Sequence, residues 1–323
     1  MVMQAAVITR YGSPETIAIR DVPTPAPGVG EVLVRVHAAT VNRTDCGELW
    51  PRVLGRLVFG LLRPRRSIFG MDFAGAVEAV GPGVSGLKPG DRVFGMTSFR
   101  SNGAQAQYVC VAEAGPIALI PDGLAFEQAV VCEGAYYANS GLLQYDLGPS
   151  HSILVYGASG AIGSAAVQLA KARGARVTAV VPTRHMQLAR SLGADRVIDY
   201  TAQDFSRIPE RFDVVFETVG KAAYGRCRRL LNPGGIFMAT DIGPGAQYLP
   251  HILWSAITKS HAAVVPLPAR GSGHAFVDFL RGRMAAGRLR AVIDRRYPLA
   301  EIAEAYRYVH TGQKAGIVVI DVG

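Results

Sequence analysis

The sequence has little of what a disulfide-built, zinc-built or membrane-spanning protein needs. Of 323 residues only four are cysteine: Cys46, Cys110, Cys132 and Cys227. No two of them form a C-x-x-C pair, and their spacings match no zinc cluster. That usage fits buried thiols in a reducing cytosol. No apolar run reaches the ~18 to 20 residues of a membrane-spanning helix. The nearest, "VLGRLVFGLL" (Val53 to Leu62), is short and carries Arg56. The start, "MVMQAAVITRYG", lacks the basic opening and long apolar core of a signal peptide. Acidic residues number 25 against 34 Lys and Arg, a net charge of +9. The excess is scattered, except for "RPRR" (Arg63 to Arg66), and no aromatic-and-basic RNA signature accompanies it. No nucleic-acid partner is expected, whereas a phosphate-rich small ligand would benefit from the surplus.

What is present is enough for real cores: apolar residues make up 49% of the chain. The length suggests about two domains at ~150 residues each. Residues 1 to about 120 read as short strands between turn signals, such as "EVLVRVHAATV", "DFAGAVEAVG" and "DRVFGM". That pattern predicts a compact, barrel-like β-domain. After Pro121, "GLAFEQAVVCEGAYYANSGLLQYD" has helical spacing. Strands then alternate with helices from "ILVYG" onward, which predicts a doubly wound parallel sheet. The last segment is expected to return to the first domain.

The stretch "LVYGASGAIGSAAVQLAKARGARVTAVVPTRH" carries the clearest chemistry. Gly157, Gly160 and Gly163 follow a strand and open a helix of small residues. The first glycine allows the tight turn, the second lets backbone reach a pyrophosphate, and the third lets helix and strand pack closely. The helix N-terminus adds N–H groups and the positive end of its dipole. A ribose 2′-OH of NAD would call for an acid near the end of the second strand. None stands between Gly157 and Asp195. Thr183, Arg184 and His185 stand there instead, donors suited to a 2′-phosphate. The cofactor expected is therefore NADPH.

The chain resembles the medium-chain dehydrogenase/reductase superfamily, in its zinc-free quinone oxidoreductase-like and enoyl reductase branch. The resemblance covers nearly the whole length. It rests on "PAPGVGEVLVRVHAATVNRTD", "FGMDFAGAVEAVGPGVSGLKPGDRVFG", "YGASGAIGSAAVQLAKARGA", "SLGADRVIDY" and "YPLAEIAEAYRYVHTGQKAGIVVI". It implies an α/β chain with a GroES-like β-rich catalytic domain (1–122 and 266–323) and a Rossmann doubly wound parallel-sheet domain (123–265). It also implies an active site in the cleft between them, hydride transfer with NADPH, and a homodimer made through the Rossmann domains; the cysteine usage points to a cytoplasmic location. The zinc-dependent branch has a Cys ligand where this chain has Asn42, and a Gly-His-Glu motif where it reads Gly70-Met71-Asp72. The third ligand position falls near Cys132 or Glu133, and the four-Cys lobe is missing after Asp91. No metal is expected, because Met71 cannot replace a zinc-binding His. Cys46 reads as a packed thiol.

Without zinc, the chemistry needing least help is hydride delivery to an acceptor that is already electrophilic. The expected substrate is small, hydrophobic and carbonyl-conjugated, an enone, an enoyl compound or a quinone. A donor at the carbonyl oxygen then suffices. Asn42 is the candidate donor, and Tyr137 the match for a residue set against the nicotinamide. Asp45 would hold the loop. By the same resemblance Ser159, Ala161 and Ile162 offer backbone to the pyrophosphate, and Tyr200 flanks the 2′-phosphate. Val219, Gly220, Thr240 and Ile242 border the nicotinamide side, and Lys314 reaches the cofactor. A non-catalytic NADPH-binding role, crystallin-like or RNA-binding, is the alternative, and a zinc alcohol dehydrogenase a further one. The segment from Gly47 to Phe69 stays open between a hydrophobic lid, a self-packed or dimer-contacting helix and a membrane-surface helix.

Overall fold

The computed structural model describes the chain except residues 52–55, 57–58, 98–102, 241–247, 249, 251–252, 255–256, 258–262 and 265–272. It divides into two units, Met1–Glu133 with Gly271–Gly323, and Gly134–Arg270. The sequence placed these divisions at 122/123 and 265/266.

The first unit begins with the antiparallel pair β1 (Val2–Ile8) and β2 (Ile17–Pro23). Its main sheet starts with β3 (Glu31–Val41), whose apolar residues are buried along almost the whole strand. β3 pairs antiparallel with β4 (Asp72–Val80), β4 with β5 (Arg92–Met96), and β6 (Tyr108–Ala112) with β3. β7 (Ile117–Leu119) closes that side against β5. The β-branched and aromatic residues Val34, Val36, Phe73, Val93 and Ile117 fill the space the sheet encloses. Two short helices follow, Phe126–Ala129 and Cys132–Leu142. The sequence predicted continuous helical spacing here. The structure breaks it at Val130 and Val131, a β-branched pair of low helix propensity.

The second unit is a parallel sheet of β8 (Ser152–Tyr156), β9 (Arg176–Val181), β10 (Arg196–Asp199), β11 (Phe212–Glu217), β12 (Leu231–Ala239) and β13 (Ala263–Val264). Its order, β10-β9-β8-β11-β12-β13, is that of a doubly wound Rossmann fold. The order reverses between β8 and β11, and in such sheets ligands bind at the carboxyl ends of the strands at that reversal. The helix Ala161–Ala172 is buried on nearly every side, which its alanines and glycine permit.

The chain returns to the first unit through the helix Gly273–Ala285, then β14 (Ile293–Pro298), the helix Ile302–His310 and β15 (Ile317–Asp321). β15 pairs antiparallel with β3 and parallel with β14. Ile302, Ala305, Tyr306 and Val309 recur at helical spacing and seal the core.

Candidate active site

In the first unit a polar cluster is buried where β3, β4 and the helix Cys132–Leu142 begin or end. Asn42 follows β3 at the N-cap of the helix Arg43–Leu49, yet its side chain makes no cap. The cap comes from Asp45, whose Oδ2 accepts from the Asn42 backbone N–H at 2.7 Å. The Asn42 carboxamide turns inward instead. Its Nδ2 donates to Thr40 Oγ1 at 3.1 Å and to Glu133 Oε2 at 2.9 Å. Its Oδ1 faces Lys314 Nζ at 3.4 Å. An ammonium has no acceptor, so this contact fixes the amide orientation. Both Asn42 amide hydrogens are therefore consumed inside the protein. Thr40 Oγ1 donates in turn to Asp72 Oδ2 at 3.3 Å, and the Glu133 backbone N–H donates to Asp72 Oδ1 at 2.7 Å. Lys314 also donates to the Gly316 carbonyl.

Burial pushes the Asp45 and Asp72 carboxyls well up, and the nearby Glu133 adds to it. Burial also raises Glu133, against hydrogen bonds from Thr44 and Asn42 and the charge of Lys314. Burial pulls Lys314 down to about 8, against the opposing pull of Glu133 and Asp294. The cluster thus holds an ammonium able to titrate near neutral pH beside carboxyls that resist ionisation.

The zinc that the family's dehydrogenase branch uses does not fit here. At the positions that the resemblance assigns to zinc ligands stand an Asn whose oxygen faces an ammonium, the thioether of Met71, and, near the third, Cys132 and a Glu133 engaged with Asn42. Cys132 beside it is buried, and burial pushes its thiol well up. Among the described residues no group of three or more His, Cys, Asp and Glu side chains is arranged to hold a metal ion.

In the second unit the glycine turn is built as its spacing demands. Gly157 has φ +80°, and a Cβ there would lie 2.1 Å from Val219 Cγ2. A Cβ on Gly163 would lie 2.1 Å from the Gly157 carbonyl oxygen. At Gly160 a Cβ would meet only that oxygen, at 3.5 Å. Packing therefore requires the outer two glycines, while the middle one leaves open space at the N-terminus of the helix Ala161–Ala172. A pyrophosphate fits that space, and the first N–H groups of the helix, from Ala161, Ile162 and Gly163, suit its oxygens. Ser159 Oγ lies 3.0 Å from His185 Nδ1, which brings the end of β9 to the turn.

Several candidates have partners that the sequence did not reveal. Thr183 Oγ1 donates to Asp199 Oδ2 at 2.5 Å, and Thr201 Oγ1 to Asp199 Oδ1 at 2.6 Å. Pairing of β10 with β9 thus sets Asp199 beside Thr183. These hydroxyls hold the Asp199 carboxyl below its usual range. Arg184 lies beside His185, Nε to Nε2 at 3.4 Å. Tyr200 is exposed, with its ring 6.0 Å from that of Tyr156. The backbone N–H groups of Val219, Gly220 and Lys221 all donate to buried Glu217, a residue the sequence did not single out. Thr240 donates its backbone N–H to the Glu217 carbonyl, and Ile242 lies outside the described residues. Tyr137 is half-buried, edge-on to Tyr136 at 5.8 Å, on the helix whose first turn carries Glu133.

The chain matches the alcohol dehydrogenase GroES-like domain over residues 28–122 and the zinc-binding dehydrogenase family over residues 192–320. It is 31% identical to a 2-methylene-furan-3-one reductase of Solanum lycopersicum, covering 98% of this chain and 79% of that one. The chain belongs to the medium-chain dehydrogenase/reductase superfamily. It is 30% identical to a chloroplastic NADPH-dependent alkenal/one oxidoreductase of Arabidopsis thaliana, covering 98% of this chain and 79% of that one. The solved quinone oxidoreductase of Coxiella burnetii superposes with a TM-score of 0.86 at 26% identity, over 100% of both chains. The protein is an oxidoreductase.

Proposed function

We propose that the protein reduces the activated C=C bond of an enone or enoyl-type substrate, or a quinone, with NADPH as donor. NADPH, when bound, supplies the hydride. The turn Gly157–Gly163 would hold its pyrophosphate, and Arg184 and His185 its 2′-phosphate. Tyr200 and the residues around Val219, Gly220 and Thr240 would border it, and Tyr137 would face the nicotinamide.

The observation that carries this reading is the place of Lys314. The sequence made Asn42 the donor to the acceptor oxygen, but both Asn42 amide hydrogens are engaged with Thr40 and Glu133. Lys314 Nζ has two acceptors among the described residues, Asn42 Oδ1 and the Gly316 carbonyl, and an ammonium has three hydrogens. Its third N–H would stabilise the oxygen that gathers charge as hydride arrives at the β-carbon. Solvent would then close the enolate with a proton at the α-carbon. Asn42 acts in this reading by holding Lys314 in place. The name of the Arabidopsis relative supports NADPH, and those of the tomato and Coxiella relatives support the two acceptor classes. A cytosolic homodimer completes the proposal, supported by four free cysteines and by the resemblance.

The test is NADPH oxidation by purified, chelator-treated protein with matched enone and quinone acceptors and an NADH control. Saturable, NADPH-selective turnover is expected, and the better acceptor sets the substrate class. Tight NADPH binding without turnover on either acceptor would sink the reductase reading and favour a binding role.

A further inference from the structure

Leu61 and Leu62 are 64% and 92% exposed, side by side at the tip of a turn. The turn is a built feature. Gly60 has φ +128°, and a Cβ on it would collide with the Arg63 carbonyl at 2.1 Å. The Arg65 N–H closes the turn on the Phe59 carbonyl at 2.8 Å. Its base is tied to the first strand and the loop after it: the Ile8 N–H donates to the Ser67 carbonyl at 2.7 Å, and Tyr11 Oη to the Gly60 carbonyl at 2.8 Å. A backbone held this firmly keeps two large apolar side chains in water.

The stretch of chain that carries the tip has charge of one sign, and the nearby Glu48 is buried. Residues 51–70 contain Arg52, Arg56, Arg63, Arg65 and Arg66 and no acid. Arg56, Arg63 and Arg65 are exposed and Arg66 is half-buried. A second copy of this chain meeting the patch about a two-fold axis would bring arginines against arginines. A nucleic acid would satisfy the arginines but leave the leucines in water. A surface that is anionic at its headgroups and apolar beneath satisfies both. We propose that the turn Phe59–Ser67 docks the protein on an anionic lipid bilayer, with Leu61 and Leu62 entering the acyl boundary and the arginines lying among the headgroups. This membrane contact is peripheral, and it does not depend on which acceptor the enzyme reduces.

The experiment is co-sedimentation of the full chain with phosphatidylcholine vesicles, with and without phosphatidylglycerol. Binding is expected to the anionic vesicles, weakened by ~0.5 M salt because the Debye length shrinks. Arg63→Gln with Arg65→Gln should weaken binding roughly 25-fold, at about fivefold per charge. Leu61→Ser with Leu62→Ser should weaken it about tenfold or more. Both leucines face solvent, so that variant should keep its thermal unfolding midpoint and its NADPH binding, which separates lost docking from lost fold. Equal binding to neutral vesicles, or none to either kind at low salt, would overturn the proposal. Binding that the leucine variant leaves unchanged and heparin removes would make the patch a polyanion site, and overturn it too. A leucine variant that changes the mass in solution, with no vesicle binding by the parent, would make it a contact between copies.

Discussion

Glu133 Oε2 accepts from Asn42 Nδ2 at 2.9 Å, joining residues 91 positions apart at the head of a helix and the end of a strand. That bond, with Lys314 on the other end of the carboxamide, makes a line from carboxyl through amide dipole to amine.

The line predicts a pH profile. Lys314 carries its proton below its folded pKa of about 8 and loses it above. If its ammonium stabilises the acceptor oxygen, kcat/KM should fall as pH rises through that value. Glu133 raises the Lys314 pKa, so Glu133→Gln should move the descending limb to lower pH while the neutral amide still accepts from Asn42. Lys314→Met should remove the limb and lower kcat/KM by about 10²–10³. Lys314→Arg, which keeps its charge at all accessible pH, should retain part of the activity and lose the limb. A limb unmoved in Glu133→Gln would show that another group titrates.

The same cluster predicts how stability varies with pH. Asp72 is fully buried and its carboxyl is raised well above 3.8. A carboxyl whose folded pKa is raised binds its proton more tightly in the folded state. Its favourable contribution is present at low pH and is lost as pH rises from the unfolded value through the folded one. Asp72→Asn removes the ionisation without removing the acceptor for the Glu133 N–H. The variant should unfold a few degrees higher than the parent at pH 8, with the gain shrinking toward pH 5, as thermal unfolding at the two pH values would show. A loss at both would mean that the acceptor taken from Thr40 outweighs the relieved charge.

The fold was far more legible than these contacts. Alternating strands and helices after Ile153 are a local signal, and so is a glycine triplet after a strand; each can be read within a window of a dozen residues. The partners of Asn42, Thr183 and Val219 are set by sheet order and register. Asp199 reaches Thr183 because β10 lies beside β9, and Glu217 takes the Val219 N–H because the chain turns sharply after β11. Spacing in the sequence carries neither fact. Glu133 had one signal, its place near the third ligand position of the zinc branch. Its bond to Asn42 required the structure.

The three turn glycines should respond differently to the same substitution. Gly163→Ala drives a methyl to within 2.1 Å of a backbone oxygen, and Gly157→Ala adds a left-handed φ to a clash with Val219. Both should unfold at lower temperature than the parent. Gly160→Ala meets only an ordinary 3.5 Å contact and has φ −77°, so its unfolding midpoint should not change. If the open space at Gly160 belongs to the pyrophosphate, NADPH should bind to Gly160→Ala roughly tenfold more weakly, about 1.4 kcal/mol. Titration of nucleotide fluorescence on the folded variant measures it. Unchanged affinity would place the pyrophosphate elsewhere.

Thr183 and Arg184 are neighbours, yet they should differ as determinants of cofactor choice. The Thr183 proton is directed at Asp199, a carboxyl held ionised by that bond and by Thr201, so Thr183 can offer a phosphate no donor. Arg184 brings a guanidinium whose donors and charge suit a phosphate dianion. Arg184→Ala should raise the KM for NADPH roughly ten- to hundredfold, the range of one or two charge-assisted hydrogen bonds, and leave NADH unchanged. Thr183→Ala should change the NADPH-to-NADH ratio little, because it removes a donor already spent. The decisive comparison is kcat/KM for both nucleotides in both variants. Loss of NADPH preference in Thr183→Ala but not in Arg184→Ala would put the 2′-phosphate on the threonine side, and the guanidinium would then have no part in selection.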